Sequence, residues 1–263
     1  MPYLSPALNV MTTAARKAGR KLIRDFGELE NLQVSMKGPA DFVTSADQRT
    51  EKMLIEELQR ARPGYTFLVE ESGLIEGPDK THRFIIDPLD GTTNFMHSIP
   101  HFAISIGLER EGQLASAVVY NPVTDEMFTA EKSHGAYLND KRLRVAARKS
   151  LPESLIATGI PFLGKEGHEH YVKELQAVMG ATSGVRRFGA AALDLAYVAA
   201  GRFDGFWERG LKPWDMAAGI LLVREAGGFV SDLDGGSRAL ETGHILAAND
   251  TLHPMLLKLL KSA

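Results

Sequence analysis

The stretch Arg83-Phe-Ile-Ile-Asp-Pro-Leu-Asp-Gly-Thr-Thr-Asn-Phe95 most constrains how this chain folds. Phe84, Ile85 and Ile86 form a short apolar run that reads as a buried strand, and Pro88 is expected to end strand pairing just after Asp87. Asp87 and Asp90 then stand at the mouth of that strand. Gly91 lets the backbone turn sharply, so that the amides of Gly91, Thr92 and Thr93 point at one place. Short acids beside exposed amides suit a hard cation held by oxygens and a phosphate held by N–H groups at the start of a helical turn. A plain Asx-rich turn accounts for the same residues without a ligand. A second apolar run, Thr66-Phe-Leu-Val69, ends in Glu70-Glu71, so two strands deliver acids at their ends, where open α/β sheets place ligands.

With 263 residues, 44% of them hydrophobic, the chain can bury a large core as one large domain or two compact ones. A formal charge of -3 gives no basic footprint for nucleic acid. The absence of cysteine excludes disulfides, thiolate metal sites and thiol nucleophiles. Met1-Pro-Tyr-Leu-Ser-Pro6 lacks the basic start and apolar stretch of a secretory signal, and no run approaches the roughly eighteen apolar residues of a membrane span. The expected compartment is the cytoplasm.

Taken in order, Leu8, Met11, Ala15, Ala18, Leu22 and Phe26 recur at threes and fours, predicting an amphipathic helix over Ala7 to Phe26 that stops at Gly27. Its basic residues read as a solvated face, since Asp25, Glu28 and Glu30 follow. Lys37 to Asp47 reads as a loop entering a second helix to about Arg60, with Ser45 as N-cap, Gln48 as its capping-box partner and Asp47 in the first turn. Gly73 to Thr81 reads as a surface loop. From His101 onward, alternation and turns at Glu111-Gly112, Asn121–Asp125 and Asn139-Asp140 predict consecutive hairpins, hence an antiparallel or mixed sheet. No G-x-G-x-x-G or P-loop pattern is present. His97 and His101 lack a compact metal spacing and read as structural or substrate-edge residues; His168 and His170, without a third ligand nearby, read as part of a solvated loop.

The later chain alternates strand and helix: a strand at Leu155–Thr158, a helix through Glu174–Met179, a basic strand around Val185–Phe188, and a small-residue helix over Gly189–Ala200. Phe203–Glu208 ends another strand in an acid. Pro213 opens a helix whose first turn holds Asp215, which reads either as a cap or as a further hard ligand beside Glu70, Asp87 and Asp90. A strand at Ile245–Ala248 precedes a C-terminal helix with Leu252, Met255, Leu256 and Leu259 on one face.

Asp87-Pro-Leu-Asp-Gly-Thr-Thr-Asn-Phe95 and Trp214-Asp-Met-Ala-Ala-Gly219, with the order and separation of Lys37, Asp47 and Glu70, closely resemble the paired signatures of the inositol monophosphatase family of lithium-sensitive, metal-dependent phosphatases. The resemblance spans essentially the whole chain. It implies an α+β fold, a layered α/β/α/β/α sandwich of the inositol monophosphatase and fructose-1,6-bisphosphatase type. One domain would cover 1–143 with most metal ligands, and a second, 144–263, would supply Asp215 and substrate contacts. It implies one Mg2+ on Glu70, Asp87 and the Leu89 carbonyl, a second on Asp87, Asp90 and Asp215, and room for a third near Glu70. Thr92 paired with Asp47 would orient the attacking water, with the Gly91 and Thr92 amides on the phosphate. Asp90, Gly189, Ala191 and Glu208 would meet a phosphorylated polyol, although Ala190 departs from the threonine of some animal members. The expected reaction is hydrolysis of myo-inositol monophosphate; the same chemistry on histidinol phosphate, a nucleotide 3′-phosphate or fructose 1,6-bisphosphate stays open. Family members are commonly homodimers. A different class of reading makes the chain an interaction protein contacting an RNA-associated assembly, for which the sequence offers only Arg186-Arg187 and scattered charge.

Overall fold

A computed structural model describes residues 5–28, 34–38 and 41–263. Met1–Leu4, Glu30 and Pro39-Ala40, on which parts of the sequence reading rest, lie outside the described residues. Helix α1 (Pro6–Phe26) starts where Ser5 accepts the Leu8 N–H at 3.2 Å, and it buries Leu8, Met11, Ala15, Ala18 and Leu22. The hairpin β1 (Val34–Gly38) and β2 (Asp41–Thr44) stands where a loop was expected, and it leads into α2 (Ser45–Ala61). The cap of α2 is Thr44, not Ser45. Thr44 is the last residue with extended backbone (φ -108°, ψ 162°), so its side chain meets the first helical amides and Asp47, not Gln48, completes the box.

The next strands are β3 (Thr66–Val69), β4 (Gly73–Ile75), β5 (His82–Asp90), then, after the short α3 (Thr92–Met96), β6 (Ala103–Arg110), β7 (Gln113–Asn121), β8 (Glu126–Glu131), β9 (Gly135–Leu138) and β10 (Lys141–Arg142). They form an eight-stranded sheet in the order β10-β9-β8-β7-β6-β5-β3-β4, antiparallel except for β3 beside β5. The expected loop at Gly73 is instead an edge strand, because Gly73 at φ +71° folds the chain back on β3. Glu111-Gly112 and Asn139-Asp140 both take positive φ, as two-residue hairpin turns require.

The remaining elements are β11 (Leu155–Thr158), α4 (His168–Ala181), β12 (Gly184–Arg186), α5 (Ala191–Ala199), β13 (Gly205–Glu208), α6 (Pro213–Glu225), β14 (Phe229–Ser231), the single turn α7 (Ala239–Thr242), β15 (Ile245–Ala248) and α8 (Leu252–Lys261). Their strands make a five-stranded mixed sheet, β12-β11-β13-β15-β14. His168 and His170 are not in a loop but open α4, where His170 Nε2 lies 3.2 Å from Glu174 Oε1. On α8 the buried residues are Leu252, Leu256 and Leu260, a strict spacing of four, which turns Met255 outward.

These elements stack in five layers, so the layered α+β sandwich is what the chain forms. Helices α1 and α2 cover one face of the large sheet through Leu22, Leu54, Phe84, Ile104 and Ile106. Helices α4 and α8 cover the outer face of the small sheet around Trp207 and Leu256. Between the sheets lie α5 and α6, whose residues share one cluster with Val119 and Phe128 of the large sheet and Phe206 and Ala247 of the small one. Small residues permit that middle layer: a Cβ on Gly219 would lie 2.5 Å from Leu195, and one on Gly107 would lie 3.0 Å from Ala217. Both faces of β7 are buried, Val118 and Tyr120 toward α1, Ala117 and Val119 toward α6, as the two-residue strand period dictates.

Candidate active site

Along β5, Asp87 pairs with Ser105 and Asp90 with Ala103, so three steps on one strand oppose two on the other. Pro88 therefore does not end the strand. It sits in a bulge, where a residue without an N–H costs no ladder bond, and pairing resumes at Asp90. The bulge leaves the two acids close enough for the Asp90 charge to act on Asp87, and Asp87 Oδ1 accepts the Leu89 N–H at 2.9 Å. Gly91 follows at φ +93°; a Cβ there would lie 3.0 Å from the His101 carbonyl and 3.3 Å from Ala190. Only glycine combines that conformation with so close an approach.

The Thr92 hydroxyl lies 3.0 Å from Asp47 Oδ1 and 3.0 Å from the Leu89 carbonyl. One proton serves only one of them at a time. Asp47, 1% exposed, holds its other oxygen against the Thr44 amide at 2.9 Å, and burial raises its pKa despite these hydrogen bonds. Asp90 Oδ2 accepts the Ala192 N–H at 2.8 Å, which joins the bulge to the start of α5. Asn94 reinforces the junction by donating to the carbonyls of His101 and Phe188, each at 2.8 Å, and so seats Gly189 (φ +80°), Ala190 and Ala191 opposite Gly91. Glu70 follows β3 directly, its amide bonded to the Ile86 carbonyl at 3.2 Å. Asp215 Oδ2 accepts the Lys212 N–H at 2.7 Å, so it does cap α6.

Electrostatically these acids form one group. Burial, then the charges of Glu70, Asp90 and Asp215, push the Asp87 carboxyl well above the usual range. Asp90 is raised to about 8 by burial and by Asp215. Glu208, at the end of β13, is raised to about 8 by burial, Asp215 and Asp90, against the opposing influence of Arg187 and Lys165. Among the described residues no three acids or imidazoles are already closed around a single cation position; Asp87, Asp90 and Asp215 each have an oxygen on a backbone amide instead. The donor set still fits a hard divalent cation. It is all oxygen, Asp87 and Asp90 are buried while Glu70 and Asp215 are half-buried at the cavity, and positive charge relieves its repulsion.

A cavity of about 640 Å³ opens from Glu70, Asp215 and Glu208 and extends past Phe162, Lys165 and Trp214. Sequence reasoning gave none of these three a site role, although Trp214 opens one of the two signatures; the signal available for Phe162 was the apolar run Ile160-Pro-Phe-Leu163 between glycines, and in the structure Phe162 is 40% and Leu163 71% exposed. Gly159 is there because a Cβ would fall 1.8 Å from the Glu208 carboxyl carbon. Asp194 was missed too. It is 1% exposed on α5 with one oxygen lacking a hydrogen-bond partner, and burial followed by Glu208 and Asp90 holds its pKa well above the usual range. His97 is exposed, and His101, whose pKa is lowered by burial, packs its ring 5.1 Å from that of Phe188.

The model of the inositol monophosphatase family matches residues 3–263. An inositol-1-monophosphatase of Mesorhizobium japonicum is 58% identical over 257 residues, covering 98% of this chain and 97% of its own. A protein of Pseudomonas aeruginosa named Nus factor SuhB is 47% identical over 258 residues, covering 97% and 95%. Among solved structures, the extragenic suppressor protein suhB from Bartonella henselae superposes with a TM-score of 0.96 at 57% identity, covering 98% of this chain and all of that one.

Proposed function

The chain belongs to the inositol monophosphatase family, and from that membership we propose that it is a Mg2+-dependent phosphatase hydrolysing myo-inositol monophosphate to inositol and phosphate. The observation that carries the reading is the mutual crowding of Glu70, Asp87, Asp90 and Asp215 beside the Gly91 turn and the Thr92–Asp47 pair. Glu70, Asp87, Asp90, Asp215 and the Leu89 carbonyl would hold two or three Mg2+ ions. When bound, Mg2+ lowers the pKa of a water and balances charge on the leaving oxygen. In this reading the Thr92 hydroxyl donates its hydrogen bond to Asp47 Oδ1, 3.0 Å away. A lone pair on Thr92 Oγ1 is then free to accept from the attacking water, and Asp47, made more basic by burial, holds the proton. The Gly91 and Thr92 amides bind phosphate oxygens at the turn. Glu208 and Gly189–Ala191 meet the alcohol. No protein nucleophile is needed.

The test is phosphate release from inositol 1-phosphate with and without Mg2+, beside histidinol phosphate, a nucleotide 3′-phosphate and fructose 1,6-bisphosphate. The highest kcat/KM is expected on inositol 1-phosphate; activity that survives complete metal removal sinks the mechanism. Homodimer formation, lithium inhibition and cytoplasmic residence belong to the same proposal. A second reading, contact with an RNA-associated assembly, draws on the name Nus factor carried by the relative at 47% identity and on exposed Arg186 and Arg187. Restoration of a deletion phenotype by a catalytically inactive Asp87→Asn protein would favour it.

A further inference from the structure

We infer that Glu51, outside the acidic site, is the positioning residue that aims Glu70 into it. Glu51 lies on α2 one helical turn after Asp47, and its side chain is buried, with the residue 3% exposed. Its carboxylate takes three donors: the Glu71 N–H at 2.8 Å on Oε2, and the Ser72 N–H at 3.1 Å and Ser72 hydroxyl at 2.5 Å on Oε1. Those donors belong to the turn Glu70-Glu71-Ser72 that joins β3 to β4, whose flanking residues Val69 and Gly73 pair with each other. The Glu70 amide still makes the sheet bond to Ile86. The next two amides leave the sheet and converge on Glu51, so the direction of the chain on either side of Glu70 is fixed by one ladder bond and one carboxylate. Through Asp47, the same face of α2 holds Thr92 on the other side of the site. Two acids four residues apart on one rigid helix thus set the spacing between the Glu70 turn and the Asp87–Thr92 bulge. A carboxylate that binds several backbone amides is an outer support of the kind that orients metal ligands.

The inference rests on Glu70 being a metal ligand, and the experiment separates the two. Full-length protein stripped of metal is titrated with Mg2+ by calorimetry, and its thermal unfolding is recorded, for wild type, Glu51→Gln, Ser72→Ala and Glu70→Gln. Glutamine offers one acceptor and turns an NH2 group against amide donors. Glu51→Gln is expected to weaken Mg2+ binding about tenfold, while the metal-free melting temperature falls by much less than global loss of the helix would require and kcat at saturating Mg2+ stays within about threefold of wild type. Ser72→Ala, which removes one of the three bonds, is expected to weaken binding by about two- to threefold. If Glu51→Gln melts earlier but binds Mg2+ normally, Glu51 is structural and the inference is overturned. If Glu51→Gln does not fold, Ser72→Ala decides, and normal Mg2+ binding there overturns it. If Glu70→Gln itself binds Mg2+ like wild type, the assignment of Glu70 falls and the inference falls with it.

Discussion

The acidic end and the open end of this site are built in opposite ways. At the acidic end, Asp47, Asp87, Asp90 and Asp215 are short side chains, each with an oxygen on a nearby backbone amide, and the three on α2 and β5 are almost fully buried. At the open end, the cavity is walled by Phe162, Lys165 and Trp214, and Phe162 stands on a loop that leaves much of its ring and most of Leu163 in water. In the reading proposed above, chemistry is thereby tied to the packed core, as are Glu208 and Gly189–Ala191, while Phe162 and Lys165 add a rim on a loop whose position the core does not dictate. On that proposal, substrate choice can change at the rim without disturbing catalysis.

The largest effect should come from the most crowded acid. Asp87→Asn is expected to lower kcat at saturating Mg2+ by at least about 10²–10³-fold, while the metal-free protein melts no earlier than wild type, because Asn Oδ1 still accepts from the Leu89 N–H and the amide leaves no carboxylate to bury beside Glu70, Asp90 and Asp215. A loss below about tenfold would break the contrast between the two ends. Asp215→Asn should cost on the order of 10²-fold in turnover. Its urea unfolding free energy should move by no more than about 1 kcal/mol, since Asn Oδ1 still accepts from the Lys212 N–H.

Phe162→Ala sharpens the comparison from the other side. Its kcat/KM on inositol 1-phosphate should change by about tenfold or less, with the ratio between substrates shifting and the Mg2+ half-saturation unmoved. A shift in Mg2+ dependence would show that the two ends are mechanically joined. The smallest effect concerns pH. Asp90 and Glu208 rise from 3.8 and 4.5 to about 8 on folding. The folded metal-free protein therefore binds protons more tightly than the unfolded chain, and this stability is full below about pH 4 and lost as pH rises through about 8. Differential scanning calorimetry in EDTA should give a melting temperature several degrees lower at pH 8.5 than at pH 6, and Mg2+ should reverse the drop.

The same contrast governs what the sequence discloses. The bulge residues are legible because Asp87, Asp90, Gly91 and Thr92 act through turn chemistry contained within six positions. What hides is anything decided by a distant partner. Pro88 reads equally as a strand end or a bulge until the register of β6 places Ala103 opposite Asp90. Ser45 and Thr44 are both good caps, and the preceding hairpin decides between them. Glu51 looks like a surface helix acid, since its partners lie twenty and twenty-one residues onward. Phe162 and Trp214 are far apart in sequence and line one cavity only after both sheets are assembled.

The shared middle layer has a consequence for how the chain is made. As residues emerge in order from a ribosome, β6 to β9 become available before α5 and α6 exist, so Val119, Phe128 and Ala136 have no cover on their inner face until residue 225 has followed. The first half is thus an unfinished object during synthesis, open to wrong partners or in need of shelter. A nascent chain halted after Leu143 should be cut by protease far faster than one halted after Ala263, and supplying residues 144–263 as a separate polypeptide should protect it only if the two pieces associate.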